Sequence, residues 1–198
     1  MAEILSALAG GHFEAGRHGS AKGAAGVTMA EVAGRDLVQV GAWPETVTAV
    51  AGELAGMLGF PAPAPRGPAV RAGDRTAFFV GPDKIWVTAS YADTLGAKLG
   101  KLWPTSKAVI TELGHSRTII RVSGPCARDL IARFLAVDLD PAVFPAGRVT
   151  AAGLHGLGVT LHHVSDGTYD LYLPRTFALS LFEGIVEVAE QWGVEVKG

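Results

Sequence analysis

The chain has 198 residues, of which 48% are hydrophobic, enough for one compact domain or two closely fused small halves and too apolar for a disordered chain. Its 17 basic and 19 acidic residues give a net charge of -2 without a block of like charge, which argues against nucleic acid or another polyanion as a partner. A single cysteine cannot form an intramolecular disulfide, and the first residues, MAEILSALAGGHFEAG, carry no basic lead and only a short apolar run, so we expect a cytoplasmic protein.

The first 25 residues are predicted to form a flexible N-terminal arm. Residues 10–25, GGHFEAGRHGSAKGAA, are rich in glycine and alanine and lack a periodic apolar pattern. Phe13 is an isolated large apolar residue in this stretch. The arm is therefore expected either to be simply mobile or to be ordered against a partner protein through Phe13.

Two strands and a helix are predicted next. Residues 27–32 and 36–42 alternate weakly between apolar and polar side chains, as strands do. Pro44 occupies a favourable first helical position, and apolar residues follow it at helical spacing up to Leu58. The sequence PAPAPRGP at 61–68 is then held extended by its prolines, which predicts a surface connection.

A hairpin with a following helix is predicted in the next segment. RTAFFV and IWVTA have the composition of strands, and they flank GPDK at 81–84, a typical turn sequence. Ser90 or Asp93 is a candidate cap for the helix after the hairpin. Trp103-Pro104 is expected to end that helix.

The third segment contains a corner that allows two interpretations. KAVITEL and RTIIRV are rich in β-branched residues and are predicted to pair as a hairpin, followed by a helix from Pro125 to about Leu135. The corner between strand and helix, SGPC at 123–126, could hold an anion at the helix start or carry an activated thiol on Cys126. A proline that starts a helix needs no ligand, and the corner lacks both the P-loop and the dinucleotide-binding glycine patterns. We therefore predict structural roles for Gly124, Pro125 and Cys126.

The C-terminal part is predicted to contain three strands and a long helix. RVTAAGL, GVTLHHV and TYDLYL read as strands, the last two joined at Asp166-Gly167, a typical hairpin turn. A helix from about Thr176 to Trp192 then places its apolar residues on one stripe. Hairpins followed by helices predict an α+β fold with antiparallel or mixed sheets, in two similar halves at 26–104 and 105–198 that form one compact folding unit.

No residue pattern predicts a metal or acid-base site. His162 and His163 are adjacent in a predicted strand, so their side chains point to opposite faces and cannot clasp one ion together. The remaining histidines lie in the arm or in turns, and no pair of carboxylates is placed for proton transfer. The residues alone predict no catalytic, cofactor or metal site in this chain.

Four segments, taken in order, resemble one protein family. They are FFVGPDKIWVTA at 78–89, ELGHSRTIIRVSGPCARDLIARF at 112–134, DLDPAVFPAGRV at 138–149 and YDLYLPRTFALSLFE at 169–183. Together they resemble the gamma subunit of heterotetrameric sarcosine oxidase. The family is similar in fold to the aminomethyltransferase of the glycine-cleavage system, the T-protein, which binds folate.

The resemblance implies a subunit of an oxidoreductase complex that has no active site of its own. In such complexes the partner alpha, beta and delta subunits are expected to carry FAD, FMN, NAD, tetrahydrofolate and zinc, with alpha the chief partner of gamma. The complex is expected to oxidise sarcosine to glycine while oxygen is reduced to hydrogen peroxide, and to release the methyl carbon as formaldehyde or pass it to tetrahydrofolate as 5,10-methylenetetrahydrofolate. The gamma subunit is expected to contribute to assembly.

The resemblance also identifies residues that match the family pattern. Gly81, Pro82, Asp83 and Trp86 match it as turn and packing residues. Gly124 and Pro125 match it as a strand-to-helix corner, and each of the six residues is expected to serve the fold.

Two other functions remain open from the sequence. One is a free-standing folate-binding or one-carbon-transfer protein with the aminomethyltransferase fold. The other is a binding module for an unrelated protein. A stand-alone enzyme must supply its own acid or base, and the absence of such a pair in the sequence favours the subunit.

Overall fold

The structure is a computed structural model that describes residues 6–11, 14–19, 22–91 and 94–198. The chain divides into two units, each with its own sheet. Unit 1 comprises Met1–Ala33, Ser116–Ala146 and Thr150–Gly198, and unit 2 comprises Gly34–His115 and Gly147–Val149. No helix in the described part of the chain is long and apolar enough to cross a membrane.

Unit 1 contains a seven-stranded mixed sheet with two helices. Its strands are β1 (Gly16–His18), β2 (Val27–Glu31), β8 (Arg117–Ser123), β9 (Val149–Leu154), β10 (Leu157–Ser165), β11 (Thr168–Pro174) and β12 (Val194–Lys197). Its helices are α3 (Ala127–Phe134) and α4 (Ala178–Ala189), and short 3₁₀ turns at Arg175–Phe177 and Glu190–Trp192 flank α4. The strand order is β1-β12-β2-β8-β11-β10-β9, with β12 and β2 parallel.

One face of the unit 1 sheet forms a continuous apolar core. Alternate residues of the central strands, Ile120 and Val122 of β8 and Leu171 and Leu173 of β11, point to this face because side chains alternate along a strand. The helices bury their apolar stripes in the same core, which includes Leu130, Ile131, Leu181, Phe182, Ile185, Val186 and Ala189. This burial is the main stabilising contribution to the unit.

Unit 2 contains a five-stranded antiparallel sheet with two helices. Its strands are β3 (Arg35–Ala42), β4 (Val70–Ala72), β5 (Arg75–Phe79), β6 (Lys84–Ser90) and β7 (Ala108–Glu112), in the order β4-β5-β6-β3-β7. Its helices are α1 (Val47–Leu58) and α2 (Leu95–Leu99). Val38 and Val40 of β3, Leu54 of α1 and Leu95 of α2 are fully buried in its core.

The structure confirms the predicted fold class and several predicted elements. Both sheets are antiparallel or mixed, and helices cover them, as expected for an α+β fold. β5 and β6 pair across the GPDK turn, and β10 and β11 pair across Asp166-Gly167, where Gly167 has a φ of 62°. The long C-terminal helix is also present as α4, shorter at both ends than predicted.

One predicted hairpin is wrong, and the two strands predicted at 27–32 and 36–42 belong to different sheets. β2 and β3 do not pair: β2 lies between β12 and β8, whereas β3 lies between β6 and β7 in the other sheet. The predicted hairpin of β7 and β8 is likewise absent, because β7 pairs with β3 and β8 pairs with β2 and β11. In both cases the chain passes from one unit to the other between two strands that are consecutive in sequence. Local composition does not indicate where the chain does so.

The boundary between the units therefore differs from the expected division at residues 104 and 105. Residues 105–115, with β7, lie in unit 2, and β2 lies in unit 1. The long-range pairing of β7 with β3 decides this assignment. Within the predicted arm, residues 16–18 form β1, which pairs with β12.

Candidate functional site

The predicted GPDK turn connects β5 and β6, and its contacts are made mainly by the backbone. The carbonyl of Asp83 accepts a hydrogen bond from the N–H of Ala42 at 2.9 Å, and the carbonyl of Lys84 accepts one from Val80 at 3.0 Å. Pro82 is exposed and Gly81 is half-buried. These contacts hold the turn against the end of β3, which supports a structural role for it.

Trp86 lies next to the turn and is buried, with 5% of its surface exposed. Its indole N–H donates to Oε1 of Gln39 at 3.1 Å, and its ring lies 6.2 Å from that of Phe78. The three side chains stand side by side because Phe78 and Gln39 are the cross-strand partners of Trp86 in β5 and β3. A buried indole with its polar atom satisfied is typical of a packing residue.

The corner at Gly124 is a tight backbone crossing. Gly124 has a φ of 116°, a conformation that favours glycine, and an added Cβ would lie 2.6 Å from the carbonyl oxygen of Gly26. Its N–H donates to the carbonyl of Gly167 at 3.0 Å, while the N–H of Cys126 donates to Gly26 at 3.0 Å. These contacts use backbone donors that could otherwise bind an anion.

The helix after this corner begins later than predicted. Cys126 is the N-cap of α3 and Ala127 its first residue, so Pro125 precedes the cap instead of opening the helix. The Cys126 side chain is half-buried beside the unit 1 core. The six motif residues thus lie at a turn in unit 2 and a corner in unit 1, and their assignment as structural stays a prediction.

The second face of the unit 1 sheet carries an ion pair that the sequence analysis did not identify. Arg121 in β8 and Asp170 in β11 are direct cross-strand partners, and the guanidinium Nε and one terminal nitrogen bind the two carboxylate oxygens at 2.7 and 2.8 Å. The Asp170 hydrogen bond raises the pKa of Arg121. No sequence signal could identify the pair, because it depends on the register of two strands almost fifty residues apart.

Glu31, at the end of β2, is the centre of a second polar cluster. Its carboxylate accepts hydrogen bonds from the Ser6 hydroxyl, from the Ala7 N–H at 3.0 Å and from the Thr118 hydroxyl at 2.6 Å. Burial raises the pKa of Glu31, but these hydrogen bonds and the charge of Arg175 outweigh it and lower the pKa below its usual value. Through these hydrogen bonds Glu31 holds residues 6 and 7 against the sheet.

The two adjacent histidines lie on opposite faces of β10, as their strand position predicts. His163 faces the core and stacks on Tyr169 with 4.6 Å between ring centres, whereas His162 is the cross-strand partner of Asp170 on the other face. Among the described residues, no group of three or more histidine, cysteine, aspartate or glutamate side chains could hold a metal ion.

Exposed large apolar residues mark a candidate interaction surface in unit 2. Trp43 follows β3 and is 48% exposed, and Val109 in β7 is 46% exposed. Val109 is the cross-strand partner of Gly41, two residues before Trp43, so the two positions are neighbours in the register of β3 and β7. In the described part of the chain β7 is the outer strand of its sheet. We call Trp43, Val109 and the outer edge of β7 the β7 surface. Phe13, the predicted partner contact, lies outside the described residues.

The chain was compared with known proteins in sequence. No family model matches it. The gamma subunit of sarcosine oxidase from Arthrobacter sp. is 29% identical over 165 residues, which cover 83% of this chain and 79% of the relative.

The chain resembles the gamma subunit of sarcosine oxidase. The match extends over most of both proteins, well beyond any one of the four segments from which the resemblance was first drawn. The sequence-based recognition is therefore confirmed.

Solved structures show the same fold. A chain of heterotetrameric sarcosine oxidase from Corynebacterium sp. U-96, solved in complex with pyrrole 2-carboxylate, superposes with a TM-score of 0.77 at 19% identity and covers 88% of both chains. Aminomethyltransferase T of the glycine cleavage system from Bartonella henselae superposes with a TM-score of 0.62 at 13% identity, covering 88% of this chain but only 48% of that protein. The predicted aminomethyltransferase-like fold is thus confirmed.

Proposed function

We propose that this chain is the gamma subunit of a heterotetrameric sarcosine oxidase and that it contributes to the assembly of the complex. The observation that carries the proposal is the sequence match along 83% of the chain to a gamma subunit. A fold shared over 88% of both chains with a heterotetrameric sarcosine oxidase supports it.

The chemistry is assigned to the partner chains. The complex oxidises sarcosine to glycine and reduces oxygen to hydrogen peroxide, and the methyl carbon leaves as formaldehyde or as 5,10-methylenetetrahydrofolate. FAD, FMN, NAD, tetrahydrofolate and zinc belong to the alpha, beta and delta subunits. The turn and the corner of this chain contact its own backbone, which is consistent with a subunit that does not itself react with the amine.

The β7 surface is the proposed contact with the alpha subunit. An exposed tryptophan beside an exposed valine resembles the apolar centre of a protein interface, in which aromatic residues are enriched. The outer strand also presents backbone groups that a partner chain could pair with. The predicted contribution of Phe13 to the same contact remains part of this proposal.

A free-standing folate-binding or one-carbon-transfer protein is the alternative. The T-protein match supports the shared fold, but this chain spans only 48% of that protein's length. Folate binding by the isolated chain, with no associated flavoprotein, would favour this alternative.

Purification of the tagged chain from its own host tests the proposal. The absorbance of the eluate is recorded from the near ultraviolet to the blue, and co-purifying chains are identified by mass spectrometry. Flavin bands together with larger chains in fixed stoichiometry, and sarcosine-dependent peroxide formation by the eluate, are expected. A colourless chain recovered alone from cells that oxidise sarcosine would contradict the proposal.

A further inference from the structure

A cleft in unit 1 lies beside the Gly124 corner and is not explained by the proposed function. Its volume is about 470 Å³, within the range of small-molecule sites. The residues that give it chemical character are Arg128, His163, Asp166 and Tyr169. Arg128 lies in the first turn of α3, and Asp166 lies in the turn between β10 and β11.

His163 provides a second observation, independent of the cleft volume, that points to a ligand. Only 5% of its surface is exposed, and its Nδ1 lies 2.8 Å from the carbonyl oxygen of Phe144. Because a carbonyl only accepts, Nδ1 is the donor in this contact, and in the tautomer with its proton on Nδ1 the other nitrogen, Nε2, is an acceptor. Nε2 is buried and has no hydrogen-bond partner among the residues that the structure describes. A buried polar atom without a partner is costly, so a ligand that donates a hydrogen bond there is favoured.

The side chains around the cleft include one positive and one negative group. Arg128 and Asp166 are exposed and free of internal ion pairs among the salt bridges of the described residues. Burial raises the pKa of Tyr169, the charge of Arg128 opposes this increase, and the charges of Asp166 and Asp129 add to it. A cation and an anion thus both act on the aromatic wall of the cleft.

The backbone of the corner is not the binding group. The N–H groups of Gly124, Cys126 and Ala127 donate to Gly167, Gly26 and Gly124, respectively. A ligand must therefore be held mainly by side chains, and the structural role of the corner is compatible with a site beside it.

We propose that this cleft binds a small amino-acid zwitterion, with its carboxylate on Arg128 and its ammonium N–H groups directed to Nε2 of His163 and to Asp166. Sulfate or chloride would satisfy Arg128 but would bring no proton to Nε2, and hydrogen phosphate could donate to Nε2 but would place a second anion beside Asp166. A simple amine would leave Arg128 without a partner. The zwitterion is the ligand class that complements all three groups, and this inference does not depend on the proposed function.

The test is a titration of the full, nitrogen-15-labelled chain with three probes. Glycine carries a carboxylate and N–H donors, N,N,N-trimethylglycine carries the same two charges without an N–H, and acetate carries the carboxylate alone. Long-range proton–nitrogen spectra follow the imidazole nitrogens, and loss of one signal set in His163→Phe assigns His163. The cleft is large enough for trimethylglycine, so a weaker response to it reflects the missing donor.

Glycine is expected to shift the His163 Nε2 signal saturably in the millimolar range, and to bind at least about tenfold more tightly than trimethylglycine or acetate. Arg128→Gln is expected to weaken glycine binding about tenfold. Arg133→Gln is the matched control, since Arg133 is an exposed arginine of α3 that does not line the cleft. His163→Phe retains an aromatic ring between Phe144 and Tyr169 and is expected to remove the preference for glycine over trimethylglycine.

The proposal is overturned if glycine causes no saturable shift up to high millimolar concentration. It is also overturned if the three probes bind equally, or if Arg128→Gln binds glycine as well as the Arg133→Gln control. Arg128 is exposed, so this last comparison remains informative even if His163→Phe fails to fold.

Discussion

Arg121 and Asp170 face each other across β8 and β11 and form a two-point ion pair in which the partners are unequally buried. The Asp170 side chain is 7% exposed, whereas that of Arg121 is 40% exposed. A charge left alone in a buried position is costly, whereas one that reaches water can be hydrated. The two partners should therefore not be equally sensitive to substitution.

We predict that Arg121→Met destabilises the protein more than Asp170→Asn. The first change leaves a buried carboxylate unpaired and is expected to cost about 3–5 kcal/mol of unfolding free energy. The second leaves a guanidinium that water can reach and is expected to cost about 1–2 kcal/mol. Urea denaturation of both variants and of the double variant measures the difference. Equal losses would show that the pair is not held in a buried environment.

Glu31 should make stability depend on pH. Its folded-state pKa is lowered, so its contribution is fully present above the unfolded value of about 4.3 and is lost as the pH falls through the lower folded value. Glu31→Gln is expected to cost about 1–2 kcal/mol at pH 7, and the gap to the parent protein should narrow between about pH 5 and pH 3. Denaturation at several pH values measures the gap.

The control for this prediction is Glu187→Gln, at an exposed position of α4. It should leave the pH dependence unchanged. Hydrogen exchange at Ala7 should quicken in Glu31→Gln only, because Glu31 accepts the hydrogen bond of that amide. A gap that stays constant with pH would show that ionisation of Glu31 does not stabilise the fold.

The elements with strong local patterns could be predicted from the sequence. The hairpins at GPDK and Asp166-Gly167 are present because turn residues encode them locally. The pairing of β7 with β3 could not be predicted in this way, because two helices and three further strands of the described chain lie between them in sequence. Local strand propensity does not indicate which distant strand will be the pairing partner.

Polar features that depend on one strand could also be predicted from the sequence, whereas those that depend on distant segments could not. The opposite directions of His162 and His163 could be predicted from the two-residue period of a strand. The missing partner of His163 Nε2 could not, because it depends on Phe144 and Tyr169, which lie on separate segments. The pairing of Arg121 with Asp170 likewise required the strand register.

Gly124→Ala is predicted to destabilise unit 1. The residue combines a positive φ with a position at which a Cβ would lie 2.6 Å from a backbone oxygen, so neither strain nor overlap can be relieved by a side-chain movement. A loss of about 2–4 kcal/mol is expected. Gly184→Ala in α4 is the control, since its Cβ meets nothing within 4 Å and alanine favours helix by about 0.5–1 kcal/mol. Thermal melts should move in opposite directions for the two variants.

Substitution of Trp86 and of Asp83 should differ in its cost to stability, although both residues lie in the family motif. Trp86→Ala removes a buried ring and leaves Gln39 without its donor, at an expected cost of about 3–5 kcal/mol. Asp83 contributes its backbone carbonyl to Ala42, which alanine retains, so Asp83→Ala should change stability by less than about 1 kcal/mol. Denaturation of each variant measures the cost. Activity of the assembled complex lost in Asp83→Ala without loss of stability would indicate a functional role for that side chain.

The β7 surface should be needed for assembly and not for folding. Val109→Lys changes a 46% exposed side chain, so its melting temperature should shift little. Trp43→Ala also removes the indole hydrogen bond to the Thr105 carbonyl at 3.2 Å, so its melting temperature should fall modestly. In both variants a buried apolar contact with a partner chain would be lost. Retention of partner chains on the tagged variants is expected to fall at least tenfold, equivalent to about 1.4 kcal/mol. Val143→Lys is the matched control, because Val143 is a 54% exposed valine in unit 1. Equal retention by Val109→Lys and Val143→Lys would place the interface elsewhere on the chain.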